Sequence, residues 1–378
     1  MIDCEQFFDA LEQHQLSIYA GVPDSLLKPI CACITGRSRP QQHIIAANEG
    51  AAVGLATGSY LATGKPGMVY MQNSGLGNAV NPLLSLTDPK VYSIPMLMLI
   101  GWRGEPGVKD EPQHIKQGEV TLELLDTLGI PYEILPEETS AACETLIKML
   151  EKSISQSQPV ALVVRKNTFA PYQIDPDNTE TLPLTREQSL SLILDELNDD
   201  DIIVSTTGMT SREIFEIRES SGKSHEQDFL TVGSMGHCSQ IAMGIALNKP
   251  KQRVICIDGD GSLIMHMGSL AITGQNSSEC GILHIVINNG RHDSVGGQPT
   301  AGQSINIPAI AQACGYSQAV SVSEPEALRE ALRDINSLDS PIMIEVNVRG
   351  GARSELGRPT TTPLENKKAF MDHLNQSS

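Results

Sequence analysis

At 378 residues the chain is too long for one core and suits two domains of about 150–200 residues each. Hydrophobic residues make up 40%, with 32 Gly and 22 Pro, which excludes a fibrous or disordered protein and fits a globular α/β one. A formal charge of −18 argues against nucleic-acid and anionic-membrane partners.

In chain order, the first half alternates helical spacing with short apolar runs. Residues 17–20, 43–46, 67–72, 94–100, 131–135 and 159–165 read as strands. Residues 4–15, 25–35, 49–63, 117–128 and 138–152 carry helical periodicity. Near-continuous apolar strands separated by helices imply a parallel sheet covered on both faces. Residues 167–183 then break the pattern with Pro171, Pro176 and Pro183 among polar residues, and Thr185-Arg186-Glu187-Gln188 restarts the chain as a capping box. In the second half, strands are expected at 202–205, 254–258, 282–288 and 341–346, with helices near 190–197, 240–247, 263–273 and 324–335. The expected architecture is α/β, with two doubly wound parallel-sheet domains at 1–166 and 185–378, a linker at 167–184 and no middle domain.

No run approaches the ~18 apolar residues of a membrane span. The acidic start Met1-Ile2-Asp3-Cys4-Glu5 lacks the basic and apolar regions of a signal peptide, so a cytoplasmic protein is expected. Eight cysteines are scattered without a CxxC or a histidine at zinc spacing, and are expected to be reduced, mostly buried small hydrophobes.

The strongest chemical signal is Gly259-Asp260-Gly261-Ser262 after one predicted strand and Asn288-Asn289-Gly290 after the next. Either motif alone fits a tight turn. At successive strand ends both face the crevice where doubly wound sheets bind ligands. Asp260 supplies a carboxylate oxygen, Asn289 an amide oxygen and Arg291 a backbone carbonyl. Such an all-oxygen set with one charge suits Mg²⁺ completed by phosphate and water. Gly259 and Gly261 allow close backbone approach, and the helix starting near Ser262 points N–H groups at an anion. Rival phosphate sites fit poorly: there is no GxxxxGK[ST], and the third glycine of a dinucleotide fingerprint is missing.

With these motifs the sequence resembles the thiamine-diphosphate-dependent decarboxylases, in which the cofactor lies between a pyrimidine-binding and a diphosphate-binding domain. The resemblance extends through the runs 21–25 (GVPDS), 72–78 (QNSGLGN), 101–106 (GWRGEP), 110–114 (DEPQH), 292–300 (HDSVGGQPT) and 357–363 (GRPTTTP). It implies that Glu49, opening a Gly/Ala-rich helix, bonds the cofactor's pyrimidine nitrogen and so starts proton removal from C2. It places Met235, within Gly233-Ser234-Met235-Gly236, as the apolar wedge that bends the cofactor. Asn73 and Ser74 are candidates to position cofactor or substrate. Asp24 and His292 are both candidates to protonate the carbon that CO₂ leaves.

The direct joining of two domains resembles the short branch that acts on anionic 2-oxo acids. Phosphonopyruvate, decarboxylated to phosphonoacetaldehyde in phosphonate biosynthesis, is the expected substrate, with sulfopyruvate the alternative. Arg103, Lys109, His114, Lys116, Arg291, His292, Arg353 and Arg358 stand in loops by this reading. Ser25, Ser74, Arg103, His114, Arg291 and Arg358 are the candidate substrate contacts. The resemblance also implies a homodimer or larger assembly with active sites at the subunit interface. A nucleotide-binding regulatory module with a degenerate site is the competing class; the presence together of Glu49, Asp260 and Asn289 weighs against it.

Overall fold

A computed structural model describes residues 1–172, 182–334 and 340–376. The chain divides into two compact units, Met1–Asp177 and Asn178–Ser378. The central part of the expected linker, 173–181, lies outside the described residues.

The first unit runs α1 (Cys4–Gln13), β1 (Tyr19–Gly21), α2 (Lys28–Arg37), β2 (His43–Ile45), α3 (Glu49–Thr63), β3 (Gly67–Gln72), α4 (Leu76–Pro82), β4 (Met96–Gly101), α5 (Pro112–Thr127), β5 (Tyr132–Ile134), α6 (Thr139–Gln156) and β6 (Pro159–Val164). Its six strands are all parallel, in the order β2-β1-β3-β4-β6-β5. Every residue of β4 and β6 is buried, because helices cover both faces. One face packs Phe7, Phe8, Leu97, Leu99 and Leu162; the other packs Val53, Val69, Met98, Ile100 and Val163. Each fully buried Leu, Val, Phe or Met side chain favours folding by roughly 1.5–3 kcal/mol. Phe169 bridges Ile2 as a short parallel pair and meets the Phe7 ring edge-on at 5.3 Å, so the chain beyond β6 stays fastened to this unit.

The second unit runs α7 (Arg186–Glu196), β7 (Ile202–Ser205), α8 (Met209–Ser221), β8 (Asp228–Leu230), α9 (Cys238–Asn248), β9 (Val254–Gly259), α10 (Asp260–Met265), α11 (Ser269–Asn276), β10 (Ile282–Asn288), α12 (Ile307–Ala313), β11 (Gln318–Val322), α13 (Pro325–Asp334), β12 (Ile342–Asn347) and α14 (Pro363–Gln376). The expected capping box closes the start of α7, with Thr185 and Gln188 each accepting from the other's backbone. The sheet order, β11-β12-β10-β9-β7-β8, is all parallel. Read from the β8 edge it repeats the first sheet's order strand for strand. In each unit the chain therefore reverses direction across the sheet beside the first strand. The carboxyl ends of the first, third and fourth strands surround that switch point, where doubly wound folds bind ligands.

Several local expectations need correction. The helix expected over 263–273 is two, α10 and α11, separated at His266, Met267 and Gly268. No element was expected over 76–82, which forms α4; Pro82 falls at its end and the chain continues as a π-turn, Leu83–Thr87. Strand β11 escaped the period-2 reading because its edge position leaves Gln318, Ser321 and half of Val320 in solvent. His114 and Lys116 are not loop residues: α5 begins at Pro112, which sits at its first position, where a missing N–H costs nothing.

Candidate active site

In the first unit the polar residues gather where β1, β3 and β4 end. Asp24, just beyond β1, is fully buried. Its Oδ2 accepts from Leu26 N–H at 2.9 Å, while Oδ1 has no partner. Gly101, ending β4, makes room: a Cβ there would lie 2.1 Å from Asp24 Oδ2. Burial raises the Asp24 carboxyl from 3.8 to about 6, opposed by the Leu26 N–H and by Arg103. Arg103, beyond β4, donates from Nη1 to Ser25 Oγ at 2.9 Å. Its Nε and Nη2 grip the Asp110 carboxylate as a fork, the Nε bond at 2.8 Å. Although Asp110 is partly buried, that fork and the Glu111 and Gly104 N–H groups hold it well below the usual carboxylate range.

Asn73, beyond β3, spends its amide on the neighbouring loop. Nδ2 donates to the Arg103 carbonyl (2.8 Å) and Thr121 Oγ1 (2.9 Å), and Oδ1 accepts from Arg103 N–H (3.2 Å). That geometry fixes the Arg103 backbone and leaves Asn73 a positioning role. His114 is buried against the same loop, with Nδ1 unpartnered; burial and the Arg103 charge lower it to about 4, so it is a neutral imidazole near pH 7. Ser74 accepts from Gln72 Nε2 at 2.6 Å.

Glu49 is the first residue of α3, after Asn48, whose side chain caps the helix by accepting from Ala51 N–H. It is 5% exposed, and Oε2 accepts from Asn78 Nδ2 at 2.8 Å. A Cβ on Gly75 would lie 2.3 Å from Glu49 Oε1, so only glycine fits beside this carboxylate.

In the second unit the corresponding strand ends are β7, β9 and β10. Asp260 opens α10 and is 2% exposed; burial raises it to about 6, opposed by Thr300 Oγ1 and the Gly261, Asp260 and Asn289 N–H groups. Among the described residues no cationic side chain pairs with it. Ser262 Oγ accepts from Thr206 Oγ1, after β7, and from Gly236 N–H, each at 3.0 Å. The GDGS turn is thereby tied to the segment carrying Met235, which is half-buried in a turn with positive φ at Gly233 (66°), Ser234 (49°) and Gly236 (86°).

The two asparagines part company. Asn288 is held in the sheet by Glu345 on β12 (2.8 Å), although its Oδ1 and Asp260 Oδ2 both converge on Gly302, where a Cβ would meet them at 2.7 and 2.6 Å. Asn289 donates from Nδ2 to Asp293 Oδ2 at 2.7 Å, and its Oδ1 accepts from Arg291 N–H at 3.1 Å. Gly290 and His292 bond to Thr300 and Gln298 across an antiparallel ribbon, so the Arg291 carbonyl turns away from that ladder. Asp293 is held by Arg186 Nη1 (3.1 Å) and Gly351 N–H (3.0 Å), and Arg186 forks onto Glu213. His292 packs on Gly261, whose Cβ would lie 2.7 Å from Cε1; burial lowers His292 to about 4.

A buried carboxylate without a cation, beside amide and carbonyl oxygens, fits a small hard divalent ion. No atom lies within 4 Å of the Cβ position of Gly259, leaving that face of the turn open to a bound anion. The structure thus brings Asp24, Ser25, Asn73, Arg103 and His114 into one set, with Glu49 at the neighbouring helix start. It gathers Gly259, Asp260, Gly261, Ser262, Asn289, Arg291 and His292 in another. Arg358, exposed before α14, stands outside these contacts, and Arg353 pairs with Glu187 and Glu216 on the surface. Sequence reasoning missed Thr121, Thr206 and Gly302 as site residues and did not assign roles to Asn78, Asp110, Asp293 and Thr300. All four lay inside the quoted runs; Asn78 and Thr300 act on Glu49 and Asp260, which are remote from them in sequence.

Comparison with known proteins adds a family context. Residues 4–125 match the model described as thiamine pyrophosphate enzyme, N-terminal TPP binding domain, and residues 206–346 match the C-terminal TPP binding domain. A phosphonopyruvate decarboxylase of Streptomyces viridochromogenes is 35% identical, covering 93% of this chain and 89% of that protein. Another, from Streptomyces hygroscopicus, is 33% identical over 100% of this chain and 95% of that protein. A sulfopyruvate decarboxylase of Methanosarcina acetivorans is 28% identical over 98% and 97%.

Proposed function

Since the chain belongs to the thiamine pyrophosphate enzymes, we propose that it decarboxylates phosphonopyruvate to phosphonoacetaldehyde and CO₂, with thiamine diphosphate held through Mg²⁺. The observation that carries this reading is the near-full-length similarity to two phosphonopyruvate decarboxylases, which spans both polar sets. Sulfopyruvate is the second reading, on the weaker likeness to its decarboxylase.

Asp260, Asn289 and the Arg291 carbonyl would hold the metal, and Gly259 and Gly261 would admit the diphosphate. When bound, thiamine diphosphate supplies the carbon nucleophile and the electron sink for loss of CO₂. Glu49 would exchange a proton with the pyrimidine N1′ of the bound cofactor, and Asn78 and Gly75 keep its carboxylate in place. Asp24, with a value near 6 and one free oxygen, is the better acid for the carbon that loses CO₂. Neutral His292 has no readily lost proton near pH 7. Arg103, fixed by Asp110, Asn73 and Ser25, places positive charge beside Asp24 and offers an anchor for a substrate anion.

Each site takes Glu49 from one subunit and Asp260 from its partner in a two-fold dimer. The test of substrate is a side-by-side measurement of CO₂ release from phosphonopyruvate, sulfopyruvate and pyruvate. Phosphonopyruvate should exceed pyruvate by orders of magnitude in kcat/KM; equal rates would refute an anion-selective pocket.

A further inference from the structure

We propose that Cys238, Cys256, Asp258 and His284 form a structural zinc site inside the second unit, separate from the residues assigned to the diphosphate metal. The fold assembles them from three elements. Cys256 and Asp258 are two apart on β9 and so point to one face of the sheet, and His284 on β10 pairs in register with Cys256. Cys238 is the first residue of α9, which packs on β9. No spacing rule reveals this set, because 18 residues separate the cysteines and the histidine comes from the next strand.

The donor atoms of Cys238, Cys256 and Asp258 are close enough to share one ion, and His284 stands beside Asp258. The two sulfurs lie 3.5 Å apart, so both can stand about 2.3 Å from a common centre. One ligand atom from each of Cys238, Cys256 and Asp258 falls within 4.8 Å of the others. His284 Nε2 lies 3.7 Å from Asp258 Oδ2. All four side chains are 2% exposed or less.

His284 supplies the independent observation. Its Nε2 is buried and has no hydrogen-bond partner, while Nδ1 is bonded to Tyr316 Oη at 3.1 Å. A metal-bound imidazole has this arrangement, with one nitrogen on the ion and the other fixed by an outer partner. Two thiolates, an imidazole and a carboxylate make a closed four-donor set of the N/S type that zinc favours over Mg²⁺. An ion here would fasten the start of α9, just after Met235, to the strand that delivers Asp260.

The test uses the full chain, purified without chelator from cells grown with added zinc. Elemental analysis should find about one zinc per chain. Refolding with Co²⁺ should then produce a near-ultraviolet thiolate-to-cobalt charge-transfer band. An all-oxygen site around Asp260 cannot give that band, so Co²⁺ bound there is distinguished. Cys256→Ser should lose the band, and His284→Gln should weaken zinc retention at least ~10-fold. Should a variant fail to fold, metal content and the cobalt band of the unsubstituted chain decide alone. Absence of zinc together with absence of the thiolate band would overturn the site and leave a hydrogen-bonded network. Zinc without the band would overturn it as well, by placing the metal elsewhere.

Discussion

Asp24→Asn keeps the shape of the side chain and removes its ionisation, which makes the burial of this carboxyl measurable. Burial raises Asp24 from 3.8 to about 6. Below its unfolded value both states carry the proton, and ionisation contributes nothing to stability. As pH climbs through about 6 the unfolded chain has already ionised freely, whereas the folded chain must place a charge in a dry site. About two units at 1.36 kcal/mol each gives a penalty of about 3 kcal/mol, most of which develops between about pH 4.5 and about pH 8. The asparagine amide, facing the place where Oδ1 lacks a partner, adds a cost that does not vary with pH. The difference between the two proteins therefore isolates the carboxyl. Urea unfolding of cofactor-free protein followed by Trp102 fluorescence suits the purpose, because this single tryptophan is buried in the first unit near the end of β4. Wild type should lose about 2 kcal/mol relative to Asp24→Asn from the lower to the higher pH. Parallel stability curves would refute the raised value and with it the role of Asp24 as an acid near neutral pH.

The other expectations concern the cofactor. Glu49→Gln should bind thiamine diphosphate but turn over at least ~100-fold more slowly, with C2 hydrogen–deuterium exchange by NMR correspondingly retarded; wild-type exchange would refute the proton role. Asp260→Ala should abolish Mg²⁺-dependent cofactor binding in calorimetry, and Asp293→Ala should weaken it ~10–100-fold by freeing the Asn289 amide to turn. Unchanged affinity in both variants would place the metal elsewhere.

What the sequence revealed follows the range of the forces involved. Apolar runs such as Gly67–Gln72 and Ile282–Asn288 announce buried parallel strands, because both faces must be covered. The GDG and NN turns were legible since a strand end, a glycine and an oxygen donor fall within a few residues. Three kinds of feature were not. Edge strand β11 and the Asn- and Pro-bearing helix α4 take their form from tertiary neighbours rather than local pattern. Lys116, read as a loop cation, is an exposed helical residue paired with Glu119. The partners that set the chemistry of Glu49, Asp260 and Asn289 are Asn78, Thr300 and Asp293, and only folding brings the first two near. The buried Cys–His–Asp group likewise has no sequence signature, since the sheet register creates it.

The central claim is that a proton relay in one subunit serves a cofactor held by the other, and subunit mixing tests it most directly. Glu49→Ala and Asp260→Ala proteins, each inactive alone, are combined and allowed to exchange subunits, with mass spectrometry confirming that mixed dimers form. Random pairing makes about half the dimers mixed, each with one intact and one doubly damaged site. Phosphonopyruvate decarboxylation should then recover to about a quarter of the wild-type rate. Confirmed exchange with no recovered activity would contradict the account, since every site would then be built within a single chain.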